Sequence, residues 1–310
     1  MFPSLTLAVM GRSVLLAVSL CALLQGADKK LRIYYSSNRQ GEVEPCGCQT
    51  GQIGGVHRFA EYLERSGRTR KNSLFFDAGD AFFALSQIEG SRHAQELAKA
   101  ELIAKVYGLL GLDAYVIGRR DLAAGWSTLA RLAATTGAPF LAANLDSTSS
   151  ETRFLRKSVV LERLGWKVGV FGVVSREDFS DVLGVAPRDP FAVAREQVAT
   201  LKRTGANVIV ALSYLGLEAD RKLAAIPGIQ LVIGSRSLDV LTQPQAVGKT
   251  LVFQSDVEGR QVGVLDYDPH NPLQSSHSLV ELDKSLEAKN MVAAWVEKHR
   301  EYVRQLAFSA

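Results

Sequence analysis

Ile33-Tyr34-Tyr35-Ser36-Ser37-Asn38-Arg39-Gln40-Gly41 leads through Glu44-Pro45-Cys46-Gly47-Cys48 to Gly54-Gly55. The β-branched and aromatic residues at 33–35 predict a strand, and the polar, glycine-rich run after them predicts a long loop. Gly54-Gly55 then opens Val56-His57-Arg58-Phe59-Ala60-Glu61-Tyr62-Leu63, whose apolar spacing predicts a helix. A strand that feeds a helix through such a loop marks an α/β chain. In that class, the loop at the carboxyl end of the first strand is where sites are built. This loop also carries both cysteines outside the N-terminal leader.

The same alternation continues downstream. Ser73–Phe76 reads as a buried strand ending in Asp77-Ala78-Gly79-Asp80. Helical spacing over 94–110 stops at Gly111, and the strand 114–117 ends in Gly118-Arg119-Arg120-Asp121. A helix over 127–136 precedes the strand 140–144. Residues 158–164 and 167–174 read as a hairpin around Gly165-Trp166. Pro190 suits the first turn of a helix over 190–203. Strands 207–212 and 231–233 end in Ser213-Tyr214-Leu215-Gly216 and Gly234-Ser235-Arg236-Ser237. Residues 251–254 and 262–265 read as a last antiparallel pair. An amphipathic helix follows over 291–306, its charged face solvated and its apolar stripe folded back or offered to a partner. Trp126, Trp166 and Trp295 read as packing anchors. The pattern predicts α/β with mixed sheets in one domain.

Composition limits the functional classes. The 310 residues are 47% hydrophobic and 22% charged, with a net charge of +4. That is ordinary for a globular chain and too mildly basic to argue for nucleic acid, and no nucleic-acid-binding spacing occurs. Residues 1–27 hold one basic residue, Arg12, and an apolar run from Val14 to Leu24 of signal-peptide length. The expectation is export to the periplasm or outside the cell. Membrane attachment would require lipidation at Cys21 or a retained leader. Cys46 and Cys48 would then lie in a disulfide-permissive compartment.

The series of strand-end loops resembles the calcineurin-like metallophosphoesterases, specifically the 5′-nucleotidase (UshA-like) branch. Loops there read roughly T-N-D-x-H-G, D-A-G-D, G-N-H-E, S-H-x-G and G-H-x-H. Gly41, Gly54-Gly55, Arg58, Asp77-Ala78-Gly79-Asp80, Gly118, Gly125, Ala143-Asn144, Ser213, Gly216, Gly234 and Gly259-Arg260-Gln261-Val262-Gly263 carry the resemblance, over about 31–266. It implies a four-layer α/β/β/α sandwich over 28–270. A C-terminal segment over 271–310 would follow, without the branch's nucleotide-recognition domain.

The resemblance also implies two divalent metals that activate water and hold phosphoryl oxygens. At the ligand positions, however, this chain has Asn38, Gln40, Asp80, Arg119, Arg120, Tyr214, Ser235 and Ser237, with Asp121 in place of glutamate. Only Asp80, the bridging position, keeps its type. None of the five histidines (His57, His93, His270, His277, His299) falls on a ligand position. Arginine never deprotonates to become a ligand. The expectation is therefore no family-type dimetal site and no cofactor of that kind.

Two features remain. Arg39, Arg119, Arg120 and Arg236 sit on loops that would converge on the former metal site. They either bind a small anion bidentately or pair with Asp80 and Asp121 and plug the cavity. Cys46-Gly47-Cys48 can form a strained, labile disulfide that meets a redox partner, bind a single soft metal, or simply stiffen the loop. His57 could assist the thiols or be an exposed helix residue. A single metal at Asp80 is the other metal option. Asp77 is expected to brace its loop. The leading reading is an exported, metal-site-degenerate family member with a functional Cys-Gly-Cys loop. The alternatives are a divergent phosphoester hydrolase using Asp80 and Asp121, and an anion-binding module.

Overall fold

Buried β-branched and aromatic runs set the strands, and apolar stripes at helical spacing set the helices that cover them. The computed structural model describes residues 29–47, 51–287 and 289–309. The leader, Cys21 and Cys48 lie outside those residues. In chain order the first half runs β1 (Leu31–Ser36), β2 (Pro45–Cys46), β3 (Ile53–Gly54), α1 (Val56–Arg65), β4 (Ser73–Asp77), α2 (His93–Leu110), β5 (Ala114–Val116), α3 (Gly125–Thr136), β6 (Phe140–Leu141) and β7 (Leu145–Ser147). The second half runs β8 (Ser158–Arg163), β9 (Trp166–Val174), β10 (Val185–Pro187), α4 (Pro190–Arg203), β11 (Val208–Tyr214), α5 (Leu217–Ala224), β12 (Leu231–Gly234), β13 (Gln245–Val247), β14 (Thr250–Phe253), β15 (Gln261–Tyr267), β16 (Ser276–Glu281) and α6 (Met291–Ser309).

Two mixed six-stranded sheets result, ordered β16-β15-β1-β4-β5-β6 and β13-β14-β12-β11-β9-β8. They face each other across one core, where the Tyr35 ring lies 5.8 Å from that of Phe253. Outside the first sheet, Phe59 of α1 and Tyr107 of α2 both pack edge-on against Phe75 of β4. Outside the second, α4 and α5 cover Phe171, Ile209 and Val232. This is the four-layer α/β/β/α arrangement. Asp189 caps α4 by accepting from the N–H groups of Phe191 and Ala192, with Pro190 in the first turn. The apolar stripe of α6 folds back on α1 and α2, burying Val292 and Val296. Trp126 and Trp166 are buried, and Trp295 lies under the Lys105 ammonium at 3.7 Å. No helix among the described residues is long and apolar enough to cross a membrane.

The expected last antiparallel pair is corrected. Thr250–Phe253 runs parallel to β12 in the second sheet, whereas Gln261–Tyr267 runs antiparallel to β1 in the first. The chain changes sheets between them, a long-range choice that two adjacent apolar runs do not encode. In the ladder Gly263 lies opposite Tyr35, and a Cβ added there would stand 2.0 Å from the Tyr35 ring. Gly263→Ala would displace that ring from Phe253. It is expected to cost about 1–3 kcal/mol, as overpacking does, read as a lower urea midpoint.

Candidate functional site

Within each sheet the central strands are parallel, so their carboxyl ends lie together and bring the loops to one end of the sandwich. Hydrogen bonds tie all five loops. The Asn38 N–H donates to Gly79 O (2.9 Å) and the Gln40 N–H to Asp80 O (2.8 Å). The Asn38 side chain is engaged at both its oxygen and its nitrogen. Its Oδ1 accepts from the Arg236 N–H (3.2 Å), and its Nδ2 donates to Ser237 O (3.0 Å). The Ser235 hydroxyl donates to Ala78 O, and Ser237 Oγ exchanges hydrogen bonds with the Gln254 amide. Asn38, Gln40, Asp80 and Arg236 adopt left-handed φ values of 50°, 58°, 53° and 76°. For non-glycine residues that is a strained backbone concentrated at one place.

Asp80 and Asp121 form the acidic centre. Asp80 Oδ2 accepts from the Tyr214 hydroxyl (2.9 Å) and lies 3.7 Å from Arg120 Nε, while Oδ1 accepts from the Arg120 N–H (2.9 Å). Asp121 does not pair with an arginine. Its Oδ2 accepts from the Tyr115 hydroxyl (2.6 Å) and the Gly118 N–H (2.7 Å), and its Oδ1 from the Phe82 N–H (3.2 Å). Burial pushes both carboxyls above the usual carboxylate range, the Asp80 charge raises Asp121 further, and the Asp178 charge raises Asp80. Tyr214 is pushed upward by burial and by the Asp80 charge. Asp77 braces its loop as expected, accepting from the Gly79 N–H at 2.9 Å.

The four arginines do not act as one group. Arg39 is 1% exposed and turns into the core, its Nε donating to the Tyr107 hydroxyl (3.1 Å) and its guanidinium lying over Phe59. Its placement at the pocket is corrected: the left-handed residues on either side swing its side chain inward. Arg120 pairs with Asp80. Arg236 makes a two-pronged pair with Asp178, and Arg119 lies 3.6 Å from Asp181. Asp178 and Asp181 belong to a segment after β9 that the sequence reading left out. The available signal was that β9 ends like the other loop-bearing strands.

The cysteine loop stands beside this site. Cys46 lies in the β2–β3 hairpin with no disulfide partner among the described residues, its Sγ 3.6 Å from Glu258 Oε2. Glu258 in turn donates its N–H to Asn38 O (2.8 Å) and pairs with Arg260. One residue therefore joins the thiol to the first loop. His57 is not an exposed helix residue. It is buried, its Nε2 2.9 Å from Glu287 Oε1, because the segment before α6 crosses it. Arg300 of α6 pairs with Glu44 at the base of the loop. Among the described residues, no three His, Cys, Asp or Glu side chains gather as a metal-holding group.

No family model matches the chain. Its relatives are nevertheless consistent. A 5′-nucleotidase of Diplobatis ommata is 28% identical over 244 residues, covering 73% of this chain and 41% of that protein. The structure of a 5′-nucleotidase precursor from Thermus thermophilus superposes with a TM-score of 0.78 at 22% identity, over 89% of this chain and 59% of that one. The calcineurin-like phosphoesterase YfkN of Bacillus subtilis gives 0.69 at 19% identity, over 90% and 98%. The fold is that of the calcineurin-like metallophosphoesterases. The curated relatives that it resembles include 5′-nucleotidases, among them that of Diplobatis ommata. The chain spans about two fifths of the length of the Diplobatis relative.

Proposed function

We propose that this chain is an exported 5′-nucleotidase-family protein with a degenerate dimetal site, that it does not hydrolyse phosphoesters by the two-metal route, and that its Cys46-Gly47-Cys48 loop carries a thiol function. The carrying observation is Asp80. At the position where the family needs a carboxylate bridging two cations, both oxygens are engaged by Tyr214 and Arg120. A guanidinium 3.7 Å away repels any cation there, and the neighbouring amides and hydroxyls are already hydrogen-bonded within the protein. The donor set does not fit two divalent ions. The thiol reading is supported by Cys46 Sγ lying against the Glu258–Arg260 pair, which ties it to the first loop. Export is supported by the apolar leader and by the likeness to a snake venom 5′-nucleotidase of Crotalus adamanteus, 25% identical over 91% of this chain.

The purified protein should carry less than one divalent metal per chain. Manganese or zinc should not raise hydrolysis of a nucleoside monophosphate above the buffer rate. Two bound ions with chelator-sensitive turnover would establish the divergent-hydrolase alternative instead. For the thiols, equilibration against glutathione followed by mass analysis should show one two-electron couple, lost in Cys46→Ser. Two thiols that stay independently alkylated at every glutathione ratio would remove the redox reading, and metal analysis of the reduced protein decides the metal–thiolate one.

A further inference from the structure

β9 ends in Ser175-Arg176-Glu177-Asp178, and Asp178 reaches into the site from outside the five loops. Arg236 Nε donates to Asp178 Oδ2 (2.6 Å) and Nη2 to Oδ1 (2.9 Å). This parallel fork is the arrangement a guanidinium offers to the edge of any oxyanion. The Asp178 charge also acts on Asp80 and Tyr214, raising both.

Arg236 is aimed independently of its partner. Its left-handed backbone is fixed by the N–H donated to Asn38, and its Nη1 donates to Leu215 O at 3.5 Å. Both sides of the pair reach solvent, the Arg236 side chain 35% exposed and the Asp178 side chain 20%. Phe179 next to Asp178 is fully buried and anchors the segment, which tethers the Asp178 carboxylate at Arg236. Arg119 and Arg120, each about one-third exposed, add positive charge at the same mouth.

We propose that Arg236 is the receptor of a tetrahedral oxyanion, of the phosphate class, and that Asp178 is a tethered anion that fills the receptor until a free oxyanion displaces it. The inference rests on reading the loop arginines as an anion site, and it does not depend on hydrolysis or on the cysteines.

Inorganic phosphate is titrated calorimetrically into the full chain at constant ionic strength, since salt alone weakens exposed ion pairs. Asp178→Asn should tighten phosphate binding at least tenfold. Asp181→Asn removes the same charge from the same segment and should change it less than threefold. Asp178→Asn combined with Arg236→Gln should lose the gain. Asp178→Ser replaces Asp178→Asn if the latter does not fold. Equal tightening in Asp178→Asn and Asp181→Asn would make the effect one of net charge and overturn the tether. Phosphate binding that Arg236→Gln abolishes but Asp178→Asn leaves unchanged would keep the anion site and overturn the tether alone. Binding indifferent to Arg236→Gln would overturn the site itself. So would binding of adenosine monophosphate with none of phosphate, because recognition would then lie outside the oxyanion.

Discussion

Arg39→Met is expected to lower the unfolding free energy by about 3 kcal/mol or more, the range found when one partner of a buried charge pair is removed. Asp77 is fully buried. Its carboxylate accepts from the Ser36 hydroxyl (2.5 Å), the Tyr107 hydroxyl (2.6 Å) and the Gly79 N–H (2.9 Å). Burial pushes its pKa upward, while these donors and the Arg39 charge pull it down. Arg39 in turn donates to Tyr107, so the hydroxyl bridges the two charges. With methionine at 39 the volume is nearly kept, but Asp77 faces its desolvation cost without a counter-charge. Tyr107→Phe removes only the bridge and should cost about 1–2 kcal/mol. Urea unfolding of both variants checks the order. A near-neutral Arg39→Met would mean that Asp77 is already protonated in the folded chain and that the guanidinium compensates nothing.

That network also marks where sequence reading stopped. The framework was legible because it rests on local signals. Alternating apolar runs gave the strands, Gly111 and Pro190 gave helix ends, and Asp77-Ala78-Gly79-Asp80 gave a loop whose glycine sits at φ 101° with a Cβ position 2.8 Å from Val116 O. Convergence of the five loops followed from strand-end position. What failed depended on direction or on distant partners. Arg39 lies next to Asn38 and near Asp80 in the loop cluster, yet left-handed φ values at Asn38 and Gln40 send its side chain the other way. Asp178 was invisible because residues 167–174 read as half of a hairpin. That strand also pairs in parallel with β11, which aligns its end with the site. His57 looked exposed on its own helix and is covered by Glu287, 230 residues away. The sheet change between Phe253 and Gln261 is likewise a tertiary choice between two equally apolar strands.

Asp220→Asn is expected to leave stability near wild type at pH 4–5 and to raise the unfolding temperature by several degrees at pH 8. Asp220 of α5 is fully buried. Its Oδ1 accepts from the Ser213 hydroxyl, and its Oδ2 has no partner. Burial pushes this carboxyl up to about 8, with the Ser213 hydrogen bond opposing. The folded chain therefore holds a proton that the unfolded chain releases near pH 4. Stability from this group is intact below pH 4 and falls as pH rises toward 8, by at most about 1.4 kcal/mol per pH unit. Above 8 both states are ionised and the full penalty remains. Asparagine does not titrate, keeps the acceptor for Ser213, and puts an amide N–H where the orphaned oxygen stands. A Cβ at Gly234 would meet that oxygen at 2.0 Å and Gln254 Oε1 at 3.5 Å, so both oxygens border the space beside Gly234. Asp77, Asp80, Asp113 and Asp121 are raised by burial too, so the wild-type curve alone cannot isolate one residue. The difference between the two proteins can: it should open between pH 4 and 8 and level off above. Parallel curves across that window would mean that Asp220 is ionised in the folded chain and that its second oxygen has found a donor.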